Sequence, residues 1–195
     1  MQKIMFDDRF GLTEAVLDGR KTMTRRTITG ITPEDSEYLE TAFDWDLRES
    51  VIIDRYARYK PGDVVAVAQS YKDAGVSFIP CTDPQWGCTR DMPGYNNKMF
   101  VRADLMPNHI RITSVRIERL QDISNEDCMR EGMRKLESQN CPTMFTFDGW
   151  SFKNKINRCT DSPKEAFEAL FKKLSGKKAW DDNPWVFVYE FELVK

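Results

Sequence analysis

The feature that most constrains the fold is the C-terminal stretch of residues 185–193. Large apolar side chains stand at every second position, with valines or glutamates between them. Because successive side chains of a strand point to opposite faces, this period of two predicts a β-strand with one face in the core. Such a strand needs partners, so the chain must build a sheet. The large apolar residues are Trp185, Phe187, Tyr189, Phe191 and Leu193, and those between are Val186, Val188, Glu190 and Glu192.

Similar patterns upstream predict the other elements. Strands are expected at residues 2–6, 21–27, 64–68, 100–102 and 109–120. Helices are expected at residues 12–18, 32–43, 124–132 and 162–176, most of them opened by a capping residue. About six strands, grouped rather than alternating with helices, predict an α+β fold. A small, mostly antiparallel β-barrel with helices at its openings fits this order best.

Two stretches interrupt the pattern, at about residues 72–97 and 135–160. The first is rich in Gly, Pro, Asp and Asn, and the second is irregular. We expect both to be loop insertions in a single domain that spans residues 1–195.

Charge and targeting signals restrict the class of protein. A net charge of −2 argues against a protein that coats nucleic acid broadly, but it permits a focused basic site. No run of about 18 apolar residues predicts a membrane span, and the N-terminus lacks a signal peptide's apolar stretch, so we expect a cytoplasmic protein. The five cysteines are odd in number and irregularly spaced, which favours free thiols.

Several common catalytic motifs are missing from the sequence. It contains no GxGxxG, GxxxxGK[ST], HExxH or GxSxG pattern, and His109 is the only histidine. His109 stands at the start of a predicted strand, which favours a structural role. We therefore predict no cofactor and no metal site, and we expect any catalytic base to be Lys, Asp or Glu.

Residues 19–26 are the strongest candidate for a functional segment. Four cations, Arg20, Lys21, Arg25 and Arg26, follow the turn glycine Gly19. Such a turn exposes backbone N–H groups, and Arg and Lys hold anionic or carbonyl-bearing ligands. The alternative is a solvated edge strand whose charges prevent aggregation.

Glu131 is unusual because it stands on the last turn of its predicted helix, beside Gly132. The helix dipole disfavours a carboxylate there by a few tenths of a kcal/mol. Arg130 or the cluster around Lys21 would relieve that cost. The alternative is an ordinary exposed surface glutamate.

The chain resembles ASCH domains of the PUA-like superfamily. The pattern Gly-Arg-Lys-Thr-x-Thr-x-Arg at residues 19–26 resembles the family signature, and the turn at residues 61–63 looks like its second element. Residues 120–132 look like the third, and residues 180–191 are similar to the ending of phage and prophage members. The similarity covers nearly the whole chain apart from the two insertions.

The resemblance implies a six-stranded PUA-like barrel that binds RNA or a modified nucleoside. Small bacterial members hydrolyse the amide of N4-acetylcytidine with a lysine, a threonine and a glutamate, and those roles fall on Lys21, Thr24 and Glu131. In that chemistry a neighbouring base, Lys21, activates the threonine hydroxyl. Relatives usually carry a glutamate where this chain has Gln69. The implied ligand-binding residues are Arg20, Thr22, Arg25, Arg26 and Gln69.

The sequence is compatible with more than one site geometry and more than one function. Lys21 and Thr24 would face opposite sides of a regular strand, so they converge only if Lys21 belongs to the turn or a bulge intervenes. The alternatives to an enzyme are a non-catalytic RNA or modified-base binding module and a phage accessory protein with a vestigial pocket. Aromatic residues of the insertions either stack on bases or pack the insertions onto the barrel; they are Trp86, Tyr95, Phe145 and Trp150.

Overall fold

A computed structural model describes residues 1–41, 44–76, 91–138, 141–148 and 159–194. Within those ranges the chain has an α+β fold with seven strands and six α-helices. The strands are β1 (Lys3–Ile4), β2 (Met23–Thr27), β3 (Val64–Val67), β4 (His109–Arg119), β5 (Arg134–Ser138), β6 (Cys141–Thr146) and β7 (Trp185–Val194). The helices are α1 (Leu12–Leu17), α2 (Pro33–Thr41), α3 (Trp45–Tyr56), α4 (Asn125–Arg130), α5 (Pro163–Ser175) and α6 (Lys177–Asp181).

Five of the strands form one mixed sheet in the order β1–β3–β4–β7–β2. Only β1 and β3 pair in parallel, and the other three pairs are antiparallel, as the sequence predicted. Strand β7 lies between β4 and β2, and both Val186 and Val188 are buried together with the aromatic residues that alternate with them. The C-terminal strand is thus an interior strand of the sheet, and it is covered on both faces at its centre.

The capping residues predicted from the sequence open their helices. The Ser124 side chain accepts a hydrogen bond from the backbone N–H of Asp127, and the Ser162 side chain accepts one from that of Lys164. Helix α5 then buries one side, with Phe167, Leu170 and Phe171 in the core. The same three residues also line a cavity of about 660 Å³.

Two predictions about the elements are wrong, and one helix was missed. Residues 100–102 form no strand; Phe100 ends a 3-10 turn at Lys98–Phe100, and residues 101–102 link it to another at Ala103–Leu105. The stretch at 135–160 is not wholly irregular, because β5 and β6 pair there as a hairpin. Helix α3 was not predicted, although Asp44 caps it by accepting a hydrogen bond from the Leu47 N–H.

The insertions are packed onto the fold where the structure describes them. Tyr95 is partly buried against a small second core that includes Tyr71, and Phe145 is partly buried against the main core. The prediction that the insertions pack onto the fold is therefore confirmed for these two aromatic residues. Trp86 and Trp150, together with Ala42 and Phe43 of the predicted second helix, lie outside the described residues.

Three further observations concern membrane spans, metal sites and cysteines. Across the described ranges, no helix combines the length and apolarity that a bilayer crossing requires. The same ranges contain no group of three His, Cys, Asp or Glu residues placed to hold a metal ion. Cys128 and Cys159 are free thiols, as predicted, while the side chains of the other cysteines are not described.

Candidate functional site

The turn before β2 places Lys21 at the site. Helix α1 ends at Leu17, and Gly19 then adopts a positive φ of 73°, which glycine tolerates without strain. The Lys21 N–H donates to the Ala15 carbonyl at 2.8 Å, and the strand begins only at Met23. Lys21 therefore belongs to the turn, which is one of the two geometries that allow it to face the same space as Thr24.

Glu131 reaches Lys21 from the end of α4. The Lys21 Nζ lies 2.5 Å from Glu131 Oε2 and also donates to the Glu131 backbone carbonyl at 2.8 Å. Gly132, with a φ of 102°, turns the chain away directly afterwards. Lys21 is the cation that relieves the unfavourable position of Glu131 at a helix C-terminus.

Arg25 binds the second oxygen of the same carboxylate. Its Nη1 lies 3.2 Å from Glu131 Oε1, and its Nη2 lies 2.6 Å from Glu118 Oε1 and 2.9 Å from Asp127 Oδ2. One guanidinium group thus links three carboxylates that come from β4, α4 and the end of α4. The fixed fork of an arginine suits this role better than a lysine.

A wider charge network surrounds this centre. Arg116 Nη2 lies 2.6 Å from Asp127 Oδ2, and Arg116 also pairs with Glu190. Arg130 Nη2 lies 2.9 Å from Glu190 Oε2. The network therefore holds as many cations as carboxylates, which leaves little net charge for binding an RNA backbone. Its cations are Lys21, Arg25, Arg116 and Arg130, and its carboxylates are Glu118, Asp127, Glu131 and Glu190.

Burial changes the acid–base properties of these groups. Lys21 exposes only 2% of its surface, and this burial lowers the pKa of Lys21 even though the charge of Glu131 acts in the opposite direction. For Arg25, burial also opposes the charge, but the carboxylates of Glu131 and Glu118 outweigh it and raise the pKa. The site thus combines a lysine that loses its proton more readily than usual with an arginine that remains charged.

A cavity of about 660 Å³ opens beside the charge centre. Its volume is in the range of about 300–1,000 Å³ that is typical of small-molecule sites. The rings of Phe6, Phe167 and Phe171 form part of its wall. Five of the residues predicted from the sequence also line it, namely Lys21, Thr24, Arg25, Arg26 and Glu131.

Thr24 lies on this cavity wall without an internal partner. It is 5% exposed, and its hydroxyl makes no hydrogen bond to any residue of the described ranges. Its neighbour across the sheet is Tyr189. The hydroxyl is therefore free to contact a ligand or a catalytic base.

The other three predicted ligand-binding residues lie elsewhere. Arg20 Nη2 lies 3.2 Å from Asp148 Oδ2, and the Thr22 hydroxyl accepts a hydrogen bond of 3.4 Å from Arg130 Nε. Gln69 accepts a hydrogen bond of 2.8 Å from Asn108 and lines a separate cavity of about 260 Å³. A ligand in the larger cavity would not reach them directly.

The alternatives raised by the sequence can now be judged. Lys21 and Arg25 are not part of a solvated edge, because both are buried, and Glu131 is not an exposed surface glutamate, because it is 4% exposed. Arg26, in contrast, is exposed, and its Nη2 donates to the Met5 carbonyl at 2.6 Å. The basic segment is thus divided into a buried part and an exposed part.

Sequence reasoning missed the residues that complete the network. Arg116, Glu118 and Glu190 lie on neighbouring strands at positions between apolar core residues. That alternation was the only available signal, and by itself it does not distinguish a solvated face from one covered by another charged side chain. Asp127 lies in the first turn of the predicted helix at residues 124–132, and its carboxylate binds Arg25 and Arg116.

Comparisons of the chain with protein-family models, with curated proteins and with solved structures found no match.

Proposed function

We propose that this chain is an ASCH-type domain of the PUA-like superfamily that hydrolyses the amide of an N4-acylated cytidine. In this proposal the five-stranded sheet is the main part of a PUA-like barrel, and the cavity of about 660 Å³ is the nucleoside site. The cytosine ring would lie among the aromatic side chains of the wall, since base–aromatic stacking tolerates many bases and is worth about 1–3 kcal/mol per base.

One observation carries the proposal: Lys21, Thr24 and Glu131 line a single cavity, with Lys21 held by Glu131. Lys21 and Thr24 come from a turn and the strand that follows it, and Glu131 comes from a helix end 110 positions after Lys21. A buried lysine with a lowered pKa is a recurrent form of general base. A purely structural ion pair has no need of a free hydroxyl beside it.

In the proposed reaction, each of the three residues has its own role. Neutral Lys21 takes the proton of the Thr24 hydroxyl, whose oxygen attacks the acyl carbon. The C–N bond breaks, and the resulting Lys21 ammonium returns its proton to the leaving N4 amine. Water then hydrolyses the acyl ester on Thr24, which releases the carboxylic acid and restores the hydroxyl. Glu131 orients Lys21, because its other oxygen is held by Arg25.

The test is release of cytidine from N4-acetylcytidine, followed by liquid chromatography. The wild-type protein should turn over the substrate, and Thr24→Val should lower kcat by at least about 100-fold. Valine has nearly the shape of threonine, and Thr24 makes no hydrogen bond to a described residue, so the variant should fold normally. Circular dichroism and denaturant unfolding would verify this.

Thr22→Val is the matched control. Thr22 stands two positions away in the same segment but lines none of the described cavities, so its variant should retain most of the activity. Equal activity of wild type and Thr24→Val would contradict the proposed nucleophile. Absence of turnover in the wild type, together with salt-dependent binding of single-stranded RNA, would favour the non-catalytic binding module instead.

A further inference from the structure

A second cavity shares a wall with the nucleoside site. It has a volume of about 260 Å³, and Met5, Arg26, Thr27 and Thr29 line both cavities. Three tyrosines and Phe187 form much of the remaining wall, together with Arg58. The two cavities are therefore adjacent, and Arg26 lies at the boundary between them.

Three cations line this second cavity, and one of them, Lys3, already donates to the backbone carbonyls of Met99 and Val101. Arg26 and Arg58 are both exposed, and neither forms an ion pair with any carboxylate in the described ranges. The Arg58 guanidinium lies 5.5 Å from the centre of the Tyr59 ring, and the Arg26 guanidinium lies 5.9 Å from the centre of the Phe6 ring and donates to the Met5 carbonyl. No Asp or Glu of the described residues lines the cavity.

Both positive charges act on the same point in the cavity wall. Burial raises the pKa of the Tyr59 phenol, and the charges of Arg58 and Arg26 act in the opposite direction. The phenol itself donates to the Lys3 carbonyl at 2.8 Å, so it is already satisfied. Because Arg26 and Arg58 also line the same cavity of about 260 Å³, one anion inside it can meet both positive charges.

The chemistry of the site favours a phosphate monoester. Such a group carries about −1.5 to −2 charges at pH 7, which matches two arginines, whereas a carboxylate carries only one. Planar guanidinium groups bind phosphate oxygens in a bidentate manner. The chain as a whole has a net charge of −2, so the attraction is local to this cavity and suits one small anion better than a polyanion.

We propose that the second cavity is a phosphate subsite, in which Arg26 and Arg58 hold the phosphate of a nucleoside monophosphate whose base occupies the larger cavity. The identity of the base rests on the proposed function, but the anion site rests on the second cavity and its two unpaired arginines. The substrate class thereby narrows from a free nucleoside to its phosphorylated form.

Calorimetric titration of the full-length protein with cytidine and with cytidine 5′-monophosphate tests this inference. The monophosphate should bind about tenfold more tightly than the nucleoside, and the preference should shrink as ionic strength rises. Arg58→Gln should remove most of the preference and leave cytidine affinity unchanged. Arg58→Lys should keep part of it, because a charge remains without the fork. Inorganic phosphate alone should compete with the monophosphate.

Arg111→Gln is the matched control, since Arg111 is exposed, lines none of the described cavities and carries the same charge. It should retain the full preference. Equal binding of the two ligands, or an unchanged preference in Arg58→Gln, would overturn the phosphate subsite even if N4-acetylcytidine is hydrolysed. Conversely, a preference that depends on Arg58 would support the subsite even if no hydrolysis is detected.

Discussion

Lys21 and Arg26 belong to one basic segment, yet their surroundings are opposite. Lys21 is buried, paired with Glu131 and connected through it to Arg25. Arg26 is exposed and forms no ion pair with a described carboxylate. A charge withdrawn from water must be paired. Partial burial lowers the pKa of Arg26 as well, but its side chain keeps contact with solvent and no described carboxylate pairs with it. One run of cations thus contains a lysine held in a buried ion pair and an arginine that is still available to a ligand.

The first test removes the carboxylate that Lys21 and Arg25 share in the buried part of the segment. Glu131→Gln leaves Lys21 and Arg25 buried without their shared carboxylate, and it should lower the free energy of unfolding by about 3–5 kcal/mol. Chemical denaturation measures the loss. Glu137→Gln is the control, because Glu137 pairs with Lys135 at the surface, and it should leave the unfolding midpoint unchanged. Similar effects of both variants would contradict the importance of burial.

The second test replaces one arginine by lysine in the buried part of the basic segment and one in its exposed part. Arg25→Lys keeps the charge but loses the fork that reaches Glu118 and Asp127, and it should lower the free energy of unfolding by about 2 kcal/mol. Arg26→Lys should not change stability measurably, but it should weaken the preference for a phosphorylated ligand. Urea unfolding measures the free energy of unfolding of both variants. An equal loss in both would contradict the predicted difference between the buried and the exposed arginine.

The third test uses pH. Because burial lowers the pKa of Lys21, the folded protein releases that proton at a lower pH than the unfolded chain, whose lysines have a pKa near 10.4. Between those two values the unfolded state binds more protons, so the free energy of unfolding should rise with pH, by up to about 1.4 kcal/mol per pH unit. The kcat/KM should rise as pH approaches the lowered pKa of folded Lys21 and level off above it, because Lys21 is then neutral.

Lys21→Met should remove the Lys21 contribution to both profiles. A wild-type kcat/KM profile with no rising limb below the ordinary lysine pKa would contradict Lys21 as the base. Profiles of unfolding free energy for wild type and Lys21→Met that run parallel would contradict the lowered pKa.

The smallest expected change in stability comes from the glycines that precede and follow β2. Gly19 and Gly30 have φ values of 73° and 75°, and neither has a heavy atom within 4 Å of an added Cβ. Gly19→Ala and Gly30→Ala should therefore each lower the free energy of unfolding by about 1 kcal/mol, because an alanine is strained at positive φ. Only Gly19→Ala should also lower turnover, because its turn positions Lys21. Equal turnover in the two variants would contradict that role.

Local patterns predicted those parts of the fold whose interactions are local. The capping serines, the turn at Gly19 and the alternation along β7 each arise from neighbours in sequence. Residues 100–102 show the limit of this reasoning. They are apolar enough for a strand, but Val101 is buried in the second core and the Arg102 N–H bonds to the Tyr71 hydroxyl. A contact distant in sequence therefore decides their conformation.

The sequence alone indicated which chemical groups the site contains, namely a lysine, a threonine and a carboxylate at a helix end, but it left open whether Lys21 belongs to the turn or to the strand. Only the tertiary structure decided which charges pair, because Lys21 and Glu131 are 110 positions apart and Arg25 and Glu118 are 93 apart. Burial follows from the same packing, and it lowers the pKa of both Lys21 and Arg26, although Arg26, unlike Lys21, keeps an exposed side chain. Residues of one type in one segment thus differ in role because solvent access differs, and sequence spacing does not encode solvent access.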